Sequence, residues 1–171
     1  MNNSINKIYE FHHSNNRQSD FSILEKERGE LLRDVIGSNK TVLDLGCRDG
    51  ALTKYFVDGN KVTGVDVDRN SLLKIKNNLS LETMEVDLNA DWRELENKKF
   101  DVIVAGEILE HLYFPDIVIK KVYNHLQPNG IFLGSIPNAF SFKNRIRYIL
   151  GSKKILHYQI LRILISLLMK K

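Results

Sequence analysis

The spacing of apolar residues changes several times along the chain. Ile23, Glu27, Leu31, Leu32, Val35 and Ile36 form a mostly apolar stripe at helical spacing. Asp20 or Ser22 can cap this helix, and Gly37-Ser38-Asn39 ends it. Thr41 to Leu45 is then a short apolar run with β-branched residues, the pattern of a buried strand. Gly46 and Gly50 punctuate a tight loop, and Ala51 to Phe56 has helical character. A second strand is expected at Lys61–Asp66 and a helix at Asn70–Asn78, for which Asp68 is the natural cap. A short third strand over Glu82–Val86 leads to a helical stretch opened by Asp91-Trp92, with Trp92 read as core. Phe100–Ala105 is the clearest strand. Ile117, Val118, Lys121, Val122, His125 and Leu126 give another helical stripe, and the turn Gln127-Pro128-Asn129-Gly130 introduces a fifth strand, Gly130–Ile136. Strands alternating with helices predict an α/β, doubly wound, mainly parallel sheet, with its ligand at the carboxyl ends of the strands.

Within that pattern a few polar residues are out of place. Asp44 ends an otherwise apolar strand, and a buried carboxylate is costly unless it finds donors or a cation. The glycines after it do not have the G-x-G-x-x-G spacing of dinucleotide sites. They fit D-x-G-x-x-x-G. Leu43-Asp44-Leu45-Gly46-Cys47-Arg48-Asp49-Gly50 resembles motif I of class I S-adenosylmethionine (SAM) dependent methyltransferases, usually D-x-G-x-G-x-G. Arg48 stands where the middle glycine is expected, so the backbone there should adopt a conformation that arginine tolerates, with the side chain turned away from the ligand. Asp66, Asp87 and Leu-Gln-Pro-Asn-Gly before the fifth strand continue the likeness over residues 40 to 138.

The resemblance implies a Rossmann-like sheet of order 3-2-1-4-5, here without the family's usual last two strands, and SAM as cofactor. Asp44 and the loop of Gly46, Cys47 and Gly50 would hold its methionyl part. Asp66, twenty residues beyond Gly46, would accept from both ribose hydroxyls, with Val67 beside it. Asp87 and Leu88 would meet the adenine, and Gly106 completes the implied set at the end of the fourth strand. Cys47 itself reads as a small filler.

Glu107-Ile108-Leu109-Glu110-His111 is the candidate for acceptor-side chemistry. On one helical turn Glu107, Glu110 and His111 would face the same way and could bind a divalent metal. The stretch is similar to the E-x-x-E-H element of RNA 3′-terminal ribose methyltransferases and of some quinone-biosynthesis O-methyltransferases, which binds metal with a further histidine from beyond strand five. No such histidine stands out here. His111 as a general base and a plain acidic helix N-terminus are the alternatives.

Composition narrows the picture further. A chain of 171 residues with 43% hydrophobic and 27% charged residues makes one globular domain. A net charge of +4 is too small to point to nucleic acid, and none is expected. The single cysteine excludes an intrachain disulfide, and Met1 to Lys7 lack a signal peptide's apolar core; both favour a reducing cytoplasm. Residues 1–19 read as a loose arm in which His12 and His13 sit, 20–150 as the SAM-binding domain, and 151–171 as an apolar and basic C-terminal helix. Lys143, Arg145 and Arg147 form a small basic cluster before it. The tail has three readings: it covers the sheet edge, it serves self-association or a peripheral membrane contact, or it is the remnant of a truncated gene. Two function classes stay open: an enzyme methylating O, N or C of a small-molecule acceptor, and an inactive SAM-fold binding or scaffold protein.

Overall fold

Side-chain alternation decides how the strands are used. The computed structural model describes residues 24–137 and the strand at 160–161. Five strands run parallel: β1 (Thr41–Leu45), β2 (Lys61–Asp66), β3 (Glu82–Glu85), β4 (Phe100–Gly106) and β5 (Leu126–Pro137). A short β6 (Ile160–Leu161) pairs antiparallel with Ile136 and Pro137. The order is β3-β2-β1-β4-β5-β6, so the expected 3-2-1-4-5 core is present with one antiparallel strand at its edge. The helix expected over 151–171 is therefore corrected at 160–161, where the chain is extended. The rest of that segment, the basic cluster at 143–147, and the arm with His12 and His13 lie outside the described residues.

Leu43, Leu45, Val65, Ile103, Ala105 and Phe132 point to one face of the sheet. There they meet Trp92, Leu95, Val118 and Val122, the last two from helix α3 (Pro115–His125). Val42, Val62, Val102, Val104 and Leu133 point to the other face, against Phe56 and Ile36 of helix α1 (Glu25–Ile36). Helix α2 (Arg69–Asn78) buries Leu72 and Ile75 beside Cys47. Asp68 caps it as the sequence predicts, its Oδ1 accepting from the Asn70 N–H at 2.9 Å.

Period two then sorts the polar strand ends. Asp44, Asp66, Gly106 and Ser135 have the parity of Val42, Val62, Val102 and Leu133. All four therefore belong to the face that α1 covers.

Other elements differ from expectation, among them β5, which begins at Leu126 and takes in the expected turn Gln127–Gly130. The helix expected over Ala51–Phe56 is a single 3₁₀ turn, Thr53–Tyr55. The Asp91-Trp92 stretch yields another, Arg93–Leu95. Helix α1 begins at Glu25, after Leu24 in the left-handed region, while Asp20 and Ser22 lie outside the described residues. Its inward side also differs, since Glu27 is exposed and Arg28 and Gly29 are buried. A Cβ on Gly29 would sit 2.3 Å from the Tyr55 ring, so this mid-helix glycine is what lets α1 lie close to the loop after β1.

Candidate functional site

The loop after β1 is built on the ends of its neighbours. Gly46 and Cys47 donate their N–H groups to the Val65 carbonyl at 2.8 and 3.1 Å, which carries the loop across the end of β2. Gly46 has φ +70°, and a Cβ there would stand 2.9 Å from the Ile108 side chain. Gly50 has φ +86°, and its Cβ would meet Ile75 at 2.7 Å. Both glycines are thus required by backbone conformation and by protein neighbours. Gly46→Ala should cost about 1–2 kcal/mol for the left-handed alanine, more if Ile108 cannot yield. The thermal midpoint should fall by several degrees; an unchanged midpoint would contradict this account of the turn.

Arg48 corrects an expectation. Its φ is +50°, the left-handed region where glycine is the default residue, so it does not avoid the strained conformation but adopts it. Its N–H donates to Asp66 Oδ2 at 2.9 Å, and its guanidinium lies 3.1 Å from Asp49 Oδ2. Cys47 is buried, with its Sγ 2.8 Å from where a Cβ on Gly64 would lie, so it fills the space a glycine in β2 leaves. Burial first, and then the charges of Asp44 and Asp66, push its thiol well above the ordinary value. A thiol held neutral in this way is a poor nucleophile.

Asp44 is buried at the end of β1 and accepts a 2.7 Å hydrogen bond from the Thr53 hydroxyl. Burial raises its pKa to about 7. The Thr53 hydrogen bond opposes the rise, the nearby Asp66 charge adds to it, and Arg28 opposes it. Asp66, also buried, accepts from the Arg48 N–H through one oxygen and from the Asp68 N–H at 2.9 Å through the other. These two bonds fix the plane of the carboxylate. Val67 follows, half-buried. Asp87 is half-buried and its Oδ1 accepts from the Asn89 N–H at 2.9 Å. Leu88 is buried in the core beside Trp92, whose indole N–H donates to the Leu88 carbonyl at 3.2 Å. Trp92 is core, as expected.

Arg28 escaped the sequence reading. It reaches from α1 across the end of β4, where a Cβ on Gly106 would lie 3.3 Å from its Nη2. Nη2 lies 3.3 Å from Ser135 Oγ and Nη1 lies 3.3 Å from Glu107 Oε2. Burial lowers its pKa, while the charges of Glu107, Glu110 and Asp44 raise it. Gly29 beside it was the available signal: a glycine inside a helical stripe marks a close approach, and the residue before it is carried inward with it. Thr53 and Ser135 gave no signal of their own.

The turn after β4 is not the single helical turn expected. Glu107 has φ +57°, and only Leu109–His111 forms a 3₁₀ turn. Glu107 is engaged by Arg28, whereas Glu110 lies 4.0 Å from His111 Nε2. Burial raises the pKa of Glu110. The His111 side chain is about half exposed. Among the described residues no three His, Cys, Asp or Glu side chains converge as a metal-ligand group. Also among them, no helix is long and apolar enough to cross a membrane.

Comparison with known proteins agrees with this architecture. A family model described as a methyltransferase domain matches residues 17–163. The ubiquinone biosynthesis O-methyltransferase of Pseudomonas paraeruginosa is 31% identical over 118 residues, covering 61% of this chain and 49% of that protein. The mitochondrial enzyme of the same name from Candida albicans is 32% identical over 127 residues, covering 68% of this chain and 37% of its own. The chain thus spans about half or less of the length of these relatives. Among solved structures, the N-methyltransferase NodS of Bradyrhizobium japonicum, in complex with S-adenosyl-L-homocysteine, superposes with TM-score 0.58 at 21% identity, covering 71% of this chain and 64% of that one. A [4+2]-cyclase superposes with TM-score 0.57 at 19% identity, covering 70% and 48%.

Proposed function

Because this chain belongs to the methyltransferase-domain family, we propose that it binds SAM at the carboxyl ends of β1, β2 and β4 and transfers its methyl group to an oxygen of a small-molecule acceptor. The observation that carries the reading is the placement of a buried carboxylate, Asp44 at the end of β1, and a buried guanidinium, Arg28 across the end of the adjacent β4, on one face of the sheet. Asp44 and Arg28 are near enough for each to shift the other's pKa. A zwitterionic amino-acid group matches such a pair: its ammonium suits Asp44 and its carboxylate suits Arg28. Asp66 at the end of β2 suits a cis-diol, and Asp87 with the turn to Asn89 suits an exocyclic amine. Val67, Leu88, Gly106 and the Gly46–Gly50 loop complete the set.

Bound SAM supplies a methyl group already activated by a sulfonium, so the chain's work is mainly alignment. Asp44, Arg28 and Asp66 would fix the two ends of the cofactor. His111, half exposed beside Glu110, is the residue suited to take the acceptor's proton. An oxygen acceptor is favoured because the curated relatives at 31 and 32% identity are O-methyltransferases of ubiquinone biosynthesis. The solved N-methyltransferase is more distant at 21%.

A second reading, a SAM-fold protein that binds without transferring, is favoured by one observation. A [4+2]-cyclase shares the fold, so the fold alone does not carry the reaction. Calorimetric titration with SAM and, separately, with NAD tests the cofactor. Transfer of labelled methyl from SAM to hydroxylated aromatic acceptors then tests the reaction. SAM binding with no transfer supports the second reading, and NAD binding without SAM binding overturns both.

Arg48→Gly should leave SAM affinity intact or tighten it. It relieves the left-handed arginine and keeps the backbone N–H that Asp66 holds. A tenfold loss of affinity would show that the Arg48 side chain itself contacts the ligand.

A further inference from the structure

Glu107 stands in the stretch that the sequence assigns to the acceptor, yet its carboxylate is turned to Arg28 on the cofactor side. Its backbone and its neighbours hold it there. Its backbone sits at φ +57°, uncommon for a residue that is neither glycine nor asparagine. Among the described residues six non-glycine positions have positive φ; three are asparagines, which tolerate this region, and Arg48 and Glu107 lie just past the carboxyl ends of β1 and β4. The strain at Glu107 is held by its N–H, which donates to the Ser135 carbonyl at 3.0 Å. Ser135 also meets Arg28 from the other side, with Oγ 3.3 Å from Nη2. Arg28 is thus gripped at both terminal nitrogens, by Glu107 on Nη1 and by Ser135 on Nη2, which sets the plane of its guanidinium. Gly106 keeps the passage open across β4, as a Cβ there would come within 3.3 Å of Nη2.

A free arginine side chain has many rotamers to lose, and a planar fork binds a carboxylate well only when its plane is correct. We propose that Glu107 is a positioning residue for the cofactor: it holds the Arg28 guanidinium across the end of β4 in the orientation that receives the cofactor's carboxylate. The proposal rests on the SAM reading above and extends it to a residue whose position after β4 pointed elsewhere. Glu107 acts through Arg28, not by touching the reacting atoms.

The test compares two ligands, one with and one without the amino-acid portion whose carboxylate Arg28 would meet. SAM has the amino-acid portion, whereas 5′-methylthioadenosine has the adenine, ribose and sulfur without it. Glu107→Gln should weaken SAM binding roughly tenfold, raise the KM for SAM by a similar factor, and leave methylthioadenosine affinity within about twofold. Glu107→Asp, which keeps the charge, should recover part of the loss. Ser135→Ala, should Glu107→Gln fold poorly, should show the same selectivity with a smaller loss. Equal loss of both ligands would mean a merely structural ion pair and would overturn the proposal, as would a Gln variant that binds SAM like the wild type. A wild-type chain that binds neither ligand would overturn the SAM reading itself, a separate and recognisable failure.

Discussion

Replacing Asp66 with alanine should cut SAM affinity by roughly 10- to 100-fold. The proposed pair of hydrogen bonds to the ribose hydroxyls is charge-assisted, and losing a bond to a charged group costs about 1.5–3 kcal/mol. The same carboxylate serves the protein, since it accepts from the N–H groups of Arg48 and Asp68. Removing it leaves both donors without that partner and loosens the loop that shapes the methionyl side. Asp66→Asn separates the two roles. Its amide oxygen can keep one backbone N–H, but its NH₂ cannot accept from a hydroxyl. Titration calorimetry on both variants, with thermal midpoints alongside, should show Asn between wild type and Ala in stability, since its NH₂ faces one of the two N–H donors, and close to Ala in affinity. Wild-type affinity in either variant would remove Asp66 from the site.

The sheet was legible because its strands announce themselves. Thr41–Leu45 and Phe100–Gly106 are apolar runs bounded by polar or glycine residues, as central parallel strands buried on both faces require. Asp44 and Asp66 were legible for the complementary reason: a carboxylate closing an apolar strand needs an explanation, and two on adjacent strands share one. Arg28 was not legible, because it comes from outside the motif. In a helical stripe an arginine usually lies on the solvent side, and only packing of Gly29 against Tyr55 turns it inward. The turn after β4 was misread for another reason. Residues spaced i, i+3 and i+4 share a face only if the backbone is helical throughout. The left-handed Glu107 breaks that premise at its first residue and sends its carboxylate to Arg28. Arg48 is the same lesson in the cofactor loop. The family pattern marks a position where glycine is usual, and the turn imposes φ +50° on whatever residue stands there.

The tail shows where local pattern is outweighed. The segment 151–171 reads as an apolar and basic helix, yet Ile160 and Leu161 pair with the end of β5. A parallel sheet ending at β5 would present unpaired N–H and C=O groups, and extended chain satisfies them where a helix cannot.

Asp44 gives the site a pH dependence whose sign is fixed by its surroundings. Its folded pKa, about 7, lies above the ordinary carboxylate value of 3.8, chiefly because burial penalises the charge. The ligand-free fold therefore gains most from Asp44 below pH 4, where the carboxyl is neutral whether the chain is folded or not. That stability is lost as pH rises through about 7, because the unfolded chain has already released this proton and the folded chain now must. SAM reverses the preference, since its ammonium favours the ionised carboxylate. Between pH 5.5 and 7, SAM affinity should rise by up to tenfold per pH unit and level off above, in a range where the ligand's own ammonium stays largely charged. Asp44→Asn removes the titrating group while its amide oxygen can still accept from Thr53. The ligand-free variant should melt higher than wild type at pH 7.5, and its SAM affinity should be at least tenfold weaker and flat with pH. A wild-type affinity independent of pH over this range, or an Asn variant that keeps the slope, would show that Asp44 is not the group that receives the cofactor's ammonium.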